Sequence, residues 1–188
     1  MSANFEVTGL FYEVSGYKLR MYLDIKRVGV KKNAPDLMVV MMNPGSSYPL
    51  DGVDNNSIPS ETEPDTTQQQ IMKVMDSASF DYARILNLSD LRTPDSKELY
   101  VFINSEESGS VEHSIFSEKR KVDLNRLFIK GVPVIYGWGV NSALVPLAKL
   151  AIETLNINSP LGMLKPGTEY SFTRYQESIQ NSSSGFSM

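Results

Sequence analysis

Polar side chains that could contact a ligand follow two apolar segments of the sequence. Asn43 comes directly after the six apolar residues 37–42, and Asn87 lies near the end of the apolar segment 82–88. An asparagine amide does not titrate usefully and so cannot act as a general base, but it can orient a water molecule or hydrogen bond the edge of a flat heterocycle. These residues favour recognition of a neutral planar ligand over a phosphate.

The elements around these asparagines predict that they lie close together. The first apolar segment has no polar alternation, which predicts a strand buried on both faces, and Pro44 and Gly45 end it because proline lacks an N–H and glycine permits positive φ. Residues 67–79 show helical spacing, so a strand–helix–strand unit places Asn43 and Asn87 at one edge of adjacent parallel strands. The alternative is that Asn43 only hydrogen bonds its own turn.

The other periodic segments indicate a three-layer α/β/α fold with a mostly parallel central sheet. Alternating apolar residues around Ser15-Gly16 predict an N-terminal β-hairpin at the edge of the sheet, with its charged face in water. Further predicted elements are a strand over 132–136 and helices over 96–103, 114–130 and 142–155. We expect one domain over 1–180, with one more short strand within 161–175, and a mobile polar tail over 181–188.

Two polar stretches have no clear periodicity. Residues 48–65 contain three prolines and five acids, and a loop of this length without its own structure is typical of a lid, a binding loop or a disordered insert. The acidic stretch 104–113 is predicted to be a surface loop, and its last residue, His113, a surface side chain.

Composition excludes several classes of function. The chain has 188 residues, no cysteine, one histidine and a formal charge of −4, so disulfides, thiolate metal sites, cysteine nucleophiles and paired zinc histidines are ruled out. The net charge gives no overall attraction to nucleic acid. No basic segment precedes an apolar one at the N-terminus, so we expect a cytoplasmic protein without a membrane partner. Because the sequence also lacks a metal-ligand pair and a dinucleotide or phosphate-binding motif, we expect no metal and no cofactor.

The polar residues at the predicted edge of the sheet form a candidate site. They are Asn43, Ser46, Ser47, Asn87, Arg92 and Trp138. The tryptophan has two interpretations, because such a residue is more often part of the core but can also stack on a base or sugar at the end of a strand.

Several blocks of the sequence resemble a bacterial and phage family known as domain of unknown function 1643. They are VVMMNPGSS (39–47), EPDTT (63–67), RILNLSDLRTP (84–94) and YGWG (136–139), with YKL (17–19) upstream. Together they span most of residues 17–175. The resemblance brings no established activity with it.

A more distant resemblance is to the uracil-DNA glycosylases. Residues 42–47 are similar to the Asn-Pro-Gly water-positioning loop of the mismatch-specific and single-strand-selective branches, and 85–88 with 92–94 to the strand that carries the base-reading asparagine. The resemblance implies the glycosylase α/β/α fold, with Asn43 positioning water and Asn87 reading a flipped base. Together, the predicted edge of the sheet and this resemblance give a set of candidate ligand-binding residues, namely Pro44, Gly45, Ser46, Ser47, Tyr48, Arg92, Trp138 and Arg174.

One departure from the glycosylases limits this inference. Those enzymes carry a His-Pro-Ser loop that stabilises the leaving base, whereas residues 165–175 here contain no histidine, so Arg174 or Lys165 would have to replace it. Three hypotheses remain open. The protein is an N-glycosylase acting on nucleic acid or a nucleoside, a non-catalytic nucleotide-binding module, or a protein-interaction module that uses the 48–65 loop.

Overall fold

A computed structural model describes residues 4–164 and 172–173. Its strands are β1 (Phe5–Val14), β2 (Tyr17–Arg27), β3 (Leu37–Met41), β4 (Ser60–Glu61), β5 (Tyr82–Asn87), β6 (Val134–Gly137), β7 (Met163–Leu164) and β8 (Phe172–Thr173). Its helices are α1 (Thr66–Ala78), α2 (Ser96–Ile103), α3 (Glu106–Ser110), α4 (Lys121–Leu127) and α5 (Val145–Leu155). The predicted tail, 181–188, lies outside the described residues.

Six of the strands form one mixed sheet in the order β4-β1-β2-β5-β3-β6. β3 lies between β5 and β6 and is parallel to both, as predicted for a strand–helix–strand unit. The pairings β1–β2, β1–β4 and β2–β5 are antiparallel. The expectation of a mostly parallel sheet is therefore wrong, because the N-terminal hairpin joins the sheet through β2 and contributes its two longest strands.

Helices cover both faces of this sheet, and β3 is buried on both sides as predicted. Alternate residues of β3 belong to two separate cores. The α1-side core includes Leu37, Val39, Met41, Ile71, Met75 and Ile85. The opposite core includes Met38, Val40, Leu86, Leu99, Leu124 and Ala148, and so joins the sheet to α2, α4 and α5.

The helix predictions succeed where the apolar spacing is regular. α1 and α5 lie where the spacing places them, and α2 occupies the predicted range 96–103. Residues 114–130 contain only the short α4, preceded by a 3₁₀ turn, and the predicted loop 104–113 contains α3. In the part of the chain that the structure describes, no helix has the length and apolar character needed to cross a membrane.

A β-bulge in the hairpin reverses the alternation of β2. Leu10 pairs with Tyr22 and Phe11 pairs with Arg20, which leaves Met21 without a partner on β1. As a result Leu19 joins the opposite core, whereas Leu23 joins the α1-side core. Arg20 is thereby turned away from water, with only 2% of its surface exposed. The expectation that the charged residues of this strand face water is wrong at this position.

The 48–65 loop is held to the body of the protein rather than free. Within it, β4 pairs with β1, and the backbone N–H of Leu50 donates to the carbonyl of Glu61 at 2.9 Å. The Asp54 carboxylate forms ion pairs with Lys18 and Arg92. The loop therefore has a defined path along the edge of the sheet, with several apolar side chains exposed to solvent (Tyr48, Leu50, Val53 and Ile58).

Candidate functional site

A cavity of about 240 Å³ lies where β3 ends, beside the first turn of α1. This volume is below the roughly 300–1,000 Å³ of pockets for drug-sized molecules, and so suits a smaller group. The cavity is lined by Arg20, Met41, Met42, Asn43, Pro44, Gly45, Ser46, Asp65, Thr67, Gln68, Ile85 and Pro94. Four predicted site residues, 43 to 46, are therefore among its lining residues.

Asn43 is fixed in one orientation by the chain segment that follows β5. Its Nδ2 donates to the backbone carbonyls of Leu91, at 3.2 Å, and Thr93, at 2.9 Å. It therefore hydrogen bonds a distant segment rather than its own turn. Because both amide hydrogens are engaged and no described residue donates to Oδ1, that oxygen is the hydrogen-bonding atom that Asn43 offers a ligand.

Asn87 is buried behind the lining of the same cavity. It pairs in register with Met41 on β3, and none of its surface is exposed. Its neighbours at alternate positions, Ala83 and Ile85, belong to the α1-side core, so its side chain faces the cavity side of the sheet. Among the described residues, neither Nδ2 nor Oδ1 has a hydrogen-bond partner. The two asparagines thus share one edge and one face, as predicted, but only Asn43 lines the cavity.

Arg20 lines the cavity although it is not among the residues that the sequence predicts for the site. Its Nε and Nη1 are buried without a hydrogen-bond partner, and it forms no ion pair with any described residue. Burial lowers the pKa of Arg20 to about 10, opposed by the charges of Asp65 and Asp90, so the side chain is still charged at neutral pH. The sequence does not predict Arg20 as a site residue because the β-bulge that turns it inward depends on how β1 and β2 pair. The alternation within β2 alone does not indicate the position of the bulge.

Asp65 and Gln68 begin α1 with a capping box at the wall of the cavity. Asp65 Oδ1 accepts from the Gln68 N–H at 2.8 Å, and the Asp65 N–H donates to Gln68 Oε1 at 3.1 Å. Asp65 is therefore the N-cap of α1. The acidic residue three positions before a glutamine, ahead of an apolar face, could have indicated this cap from the sequence.

Gly45 brings the loop close to the Asp65 carboxylate. Its φ is +64°, which glycine adopts without the penalty that other residues pay. A Cβ atom on Gly45 would lie 4.0 Å from Asp65 Oδ2. The loop and the first turn of α1 therefore form adjoining walls, and a carboxylate oxygen lies between them.

Two of the predicted ligand-binding residues hold the loops together instead. Arg92 forms an ion pair with Asp54, donates from Nε to the Ser47 carbonyl at 2.8 Å, and lies 5.1 Å from the centre of the Phe11 ring. Ser47 is buried, and its Oγ lies 3.4 Å from Thr62 Oγ1. Neither residue lines the cavity, because both hold the 48–65 loop to the body of the protein.

Two other predicted residues, Trp138 and Tyr48, are not brought to the cavity. Trp138 is 1% exposed and packs in the opposite core, with its ring 4.7 Å from that of Tyr136. The structure therefore supports the core interpretation of this tryptophan. Tyr48 is exposed on the tethered loop and does not line the cavity. Arg174 lies outside the described residues, as does Lys165.

A buried ion pair supports the segment that follows β5. The carboxylate of Asp90 is fully buried, and its Oδ2 accepts from Arg120 Nη1 at 2.5 Å and from the Tyr12 hydroxyl at 2.8 Å. Burial raises the pKa of Asp90 to about 6, against the opposing effect of Arg120. The backbone carbonyl of Asp90 accepts from the N–H of Arg20, which ties this network to the strand that carries the cavity arginine.

His113 belongs to the same support and is not at the surface. It is 7% exposed, its Nδ1 lies 2.9 Å from Ser89 Oγ, and its ring packs edge-on against Phe102. Burial lowers the pKa of His113. The prediction of a surface histidine is wrong, because the acidic residues around it lie on α3 and in turns while this side chain points into the core.

The described residues contain no group of three or more histidine, cysteine or acidic side chains that could hold a metal ion. No family model, no curated protein and no solved structure matches the chain.

Proposed function

We propose that the cavity binds the base of a nucleoside or nucleotide. The observation that carries this proposal is the fixed orientation of Asn43, a lining residue of the cavity whose two bonds to backbone carbonyls leave Oδ1 as its available acceptor. A pre-oriented acceptor beside a small cavity at the carboxyl end of a parallel strand suits recognition of an N–H group on a planar ring.

Asn87 supports the proposal as a second contact. Its amide has both a donor and an acceptor without partners, and a base edge presents the complementary pair. Asn87 does not line the cavity, whereas Met41 and Ile85 do, so we expect a ligand to reach Asn87 when one of these two side chains shifts. A methionine changes rotamer at little cost, which makes Met41 the side chain that we expect to move.

The resemblance to the uracil-DNA glycosylases agrees with this assignment. It assigns water positioning to Asn43 and base reading to Asn87. A shared loop sequence does not establish shared chemistry. Base binding is therefore the main proposal, and hydrolysis of an N-glycosidic bond is the second candidate function.

Binding is tested by the melting temperature of the protein against a library of bases, nucleosides and nucleotides. A compound that binds only the folded state raises the melting temperature. Asn43→Ala should abolish the shift. Asn104→Ala is a matched control, because it removes an exposed amide that donates to a backbone carbonyl, at 2.7 Å, away from the cavity. A library in which no compound shifts the wild-type protein would refute the proposal.

A second candidate function, hydrolysis of an N-glycosidic bond, is favoured by the carboxylate of Asp65 at the same cavity. A carboxylate can take a proton from a water molecule that the Asn43 oxygen orients, whereas an amide alone cannot. His113 is buried in the network around Asp90, so it does not supply the histidine that the glycosylase resemblance lacks.

Hydrolysis is tested by release of free base from oligonucleotides that contain deoxyuridine or a modified base. The hydrolase proposal expects release by the wild-type protein and loss of release in Asp65→Asn, whose asparagine still caps α1. Base-dependent stabilisation without release from any substrate would leave the binding function and exclude hydrolysis of that panel.

A further inference from the structure

Arg20 has a buried charge whose hydrogen-bonding capacity is not used within the described protein. Its side chain lines the cavity, Nε and Nη1 lack acceptors, and 2% of the residue is exposed. A buried charge is costly unless it is paired and hydrogen bonded, so other buried arginines are held by partners. Arg120, for example, has Asp90.

The first turn of α1 adds a second source of positive potential to the same cavity. α1 has 13 residues, and Asp65, Thr67 and Gln68 at its N-terminal end line the cavity. The N-terminus of a helix carries partial positive charge and attracts anions. Asp65 offsets part of this charge, but its Oδ1 is engaged by the Gln68 N–H, and it makes no ion pair with Arg20 in the described chain.

We propose that the cavity binds an oxyanion group of its ligand, a phosphate or a carboxylate, through the guanidinium of Arg20 beside the first turn of α1. A guanidinium is planar and presents paired N–H groups that match two oxygens of such a group. The inference rests on the proposed function for the rest of the ligand, and it selects a nucleotide over a free base. It revises the expectation of a neutral ligand. The sequence favours a neutral ligand because the alternation of β2 predicts that Arg20 faces water, whereas the β-bulge turns it toward the cavity.

Substitution of Asp65 distinguishes an oxyanion ligand of Arg20 from a neutral carbonyl ligand. A neutral ring that accepts from Arg20 could donate an N–H to Asp65, so Asp65→Asn would weaken its binding. An oxyanion is repelled by the carboxylate, so the same substitution tightens its binding. Asparagine caps helices as well as aspartate does, and α1 should therefore remain intact.

The experiment measures melting temperatures of the wild-type protein, Arg20→Met and Arg126→Met with inorganic phosphate, acetate, uridine and uridine monophosphate. Arg126 is a matched control, because its side chain is 64% exposed and lies away from the cavity lining. At about 100 times Kd, binding should raise the melting temperature of a chain of this size by roughly 5–10 °C. We expect this shift with uridine monophosphate and with phosphate or acetate, its loss in Arg20→Met, and its retention in Arg126→Met.

The four probes separate this inference from the proposed function. A shift with phosphate or acetate but not with uridine or its monophosphate would support the oxyanion site and refute binding of a uracil base. Equal shifts with uridine and uridine monophosphate, unaffected by Arg20→Met, would overturn the oxyanion site and leave base binding. Comparison of phosphate with acetate identifies which oxyanion the cavity accepts. Arg20→Met should melt no lower than the wild-type protein without ligand, which shows that it folds.

Discussion

Replacing Asn87 by leucine should stabilise the unliganded protein and abolish its response to nucleotides. The asparagine has no exposed surface, and neither polar atom of its amide has a partner in the described chain. Leucine has the same branching and needs no hydrogen bond. A buried amide without partners lowers stability, so we expect it to serve ligand binding rather than packing of the core. The leucine substitution therefore has opposite effects on folding and on binding.

The size of the effect follows from the cost of the buried amide. A buried polar group left unpaired costs about 1–3 kcal/mol, and the leucine recovers part of this cost while adding some strain to a packed core. We expect a net gain of about 1–2 kcal/mol in the free energy of unfolding. For a chain of this size that gain corresponds to a rise of roughly 2–8 °C in melting temperature.

Urea unfolding of the wild-type protein and Asn87→Leu measures this gain directly. The midpoint should rise while the slope stays unchanged, because the surface exposed on unfolding is nearly the same. Asn43→Leu is the matched control of opposite sign, since it breaks two bonds to the carbonyls of Leu91 and Thr93. A loss of more than about 1 kcal/mol in Asn87→Leu would show that the amide has partners and would refute the reasoning.

Three further substitutions test the support of the site. Gly45→Ala should cost about 1–2 kcal/mol of unfolding free energy because its φ is +64°, with unchanged spectra of the folded state. Arg120→Met should cost about 3–5 kcal/mol in urea unfolding, because it leaves the Asp90 carboxylate buried without its partner. The lowered pKa of His113 means that the folded state binds a proton less tightly than the unfolded state. The contribution of neutral His113 to the free energy of unfolding is therefore complete above pH 6.5 and is lost as the pH falls below 6.5. The stability difference between the wild-type protein and His113→Asn should therefore change between pH 7.5 and 5, and a difference independent of pH would contradict this account.

Regular local patterns predicted much of the fold. The uninterrupted apolar run gave β3 as a strand buried on both faces, and helical spacing gave α1 and α5. The mixed character of the sheet was missed, because it depends on which strand the hairpin pairs with. Pairing of β2 with β5 joins residues about 60 positions apart, for example Leu23 and Ile85, and no local pattern encodes it.

The residues of the candidate site also differ in whether a local sequence signal predicts them. Asn43 and its neighbours were found because a proline and a glycine end an apolar strand there, which is a local signal. Arg20 was missed because a single unpaired residue in β2 moves it to the other face of the sheet. The positions of Trp138 and His113 also depend on tertiary packing, which places both in or beside the opposite core.

The most direct test of the site is a nuclear magnetic resonance titration of the isotope-labelled protein with uridine monophosphate. If the cavity binds a nucleotide, the side-chain amide signals of Asn43 and Asn87 and the Nε–H signal of Arg20 should shift together and yield one dissociation constant. Saturating ligand that leaves all three signals unchanged, or that shifts only exposed residues of the 48–65 loop, would contradict a nucleotide site between β3 and α1.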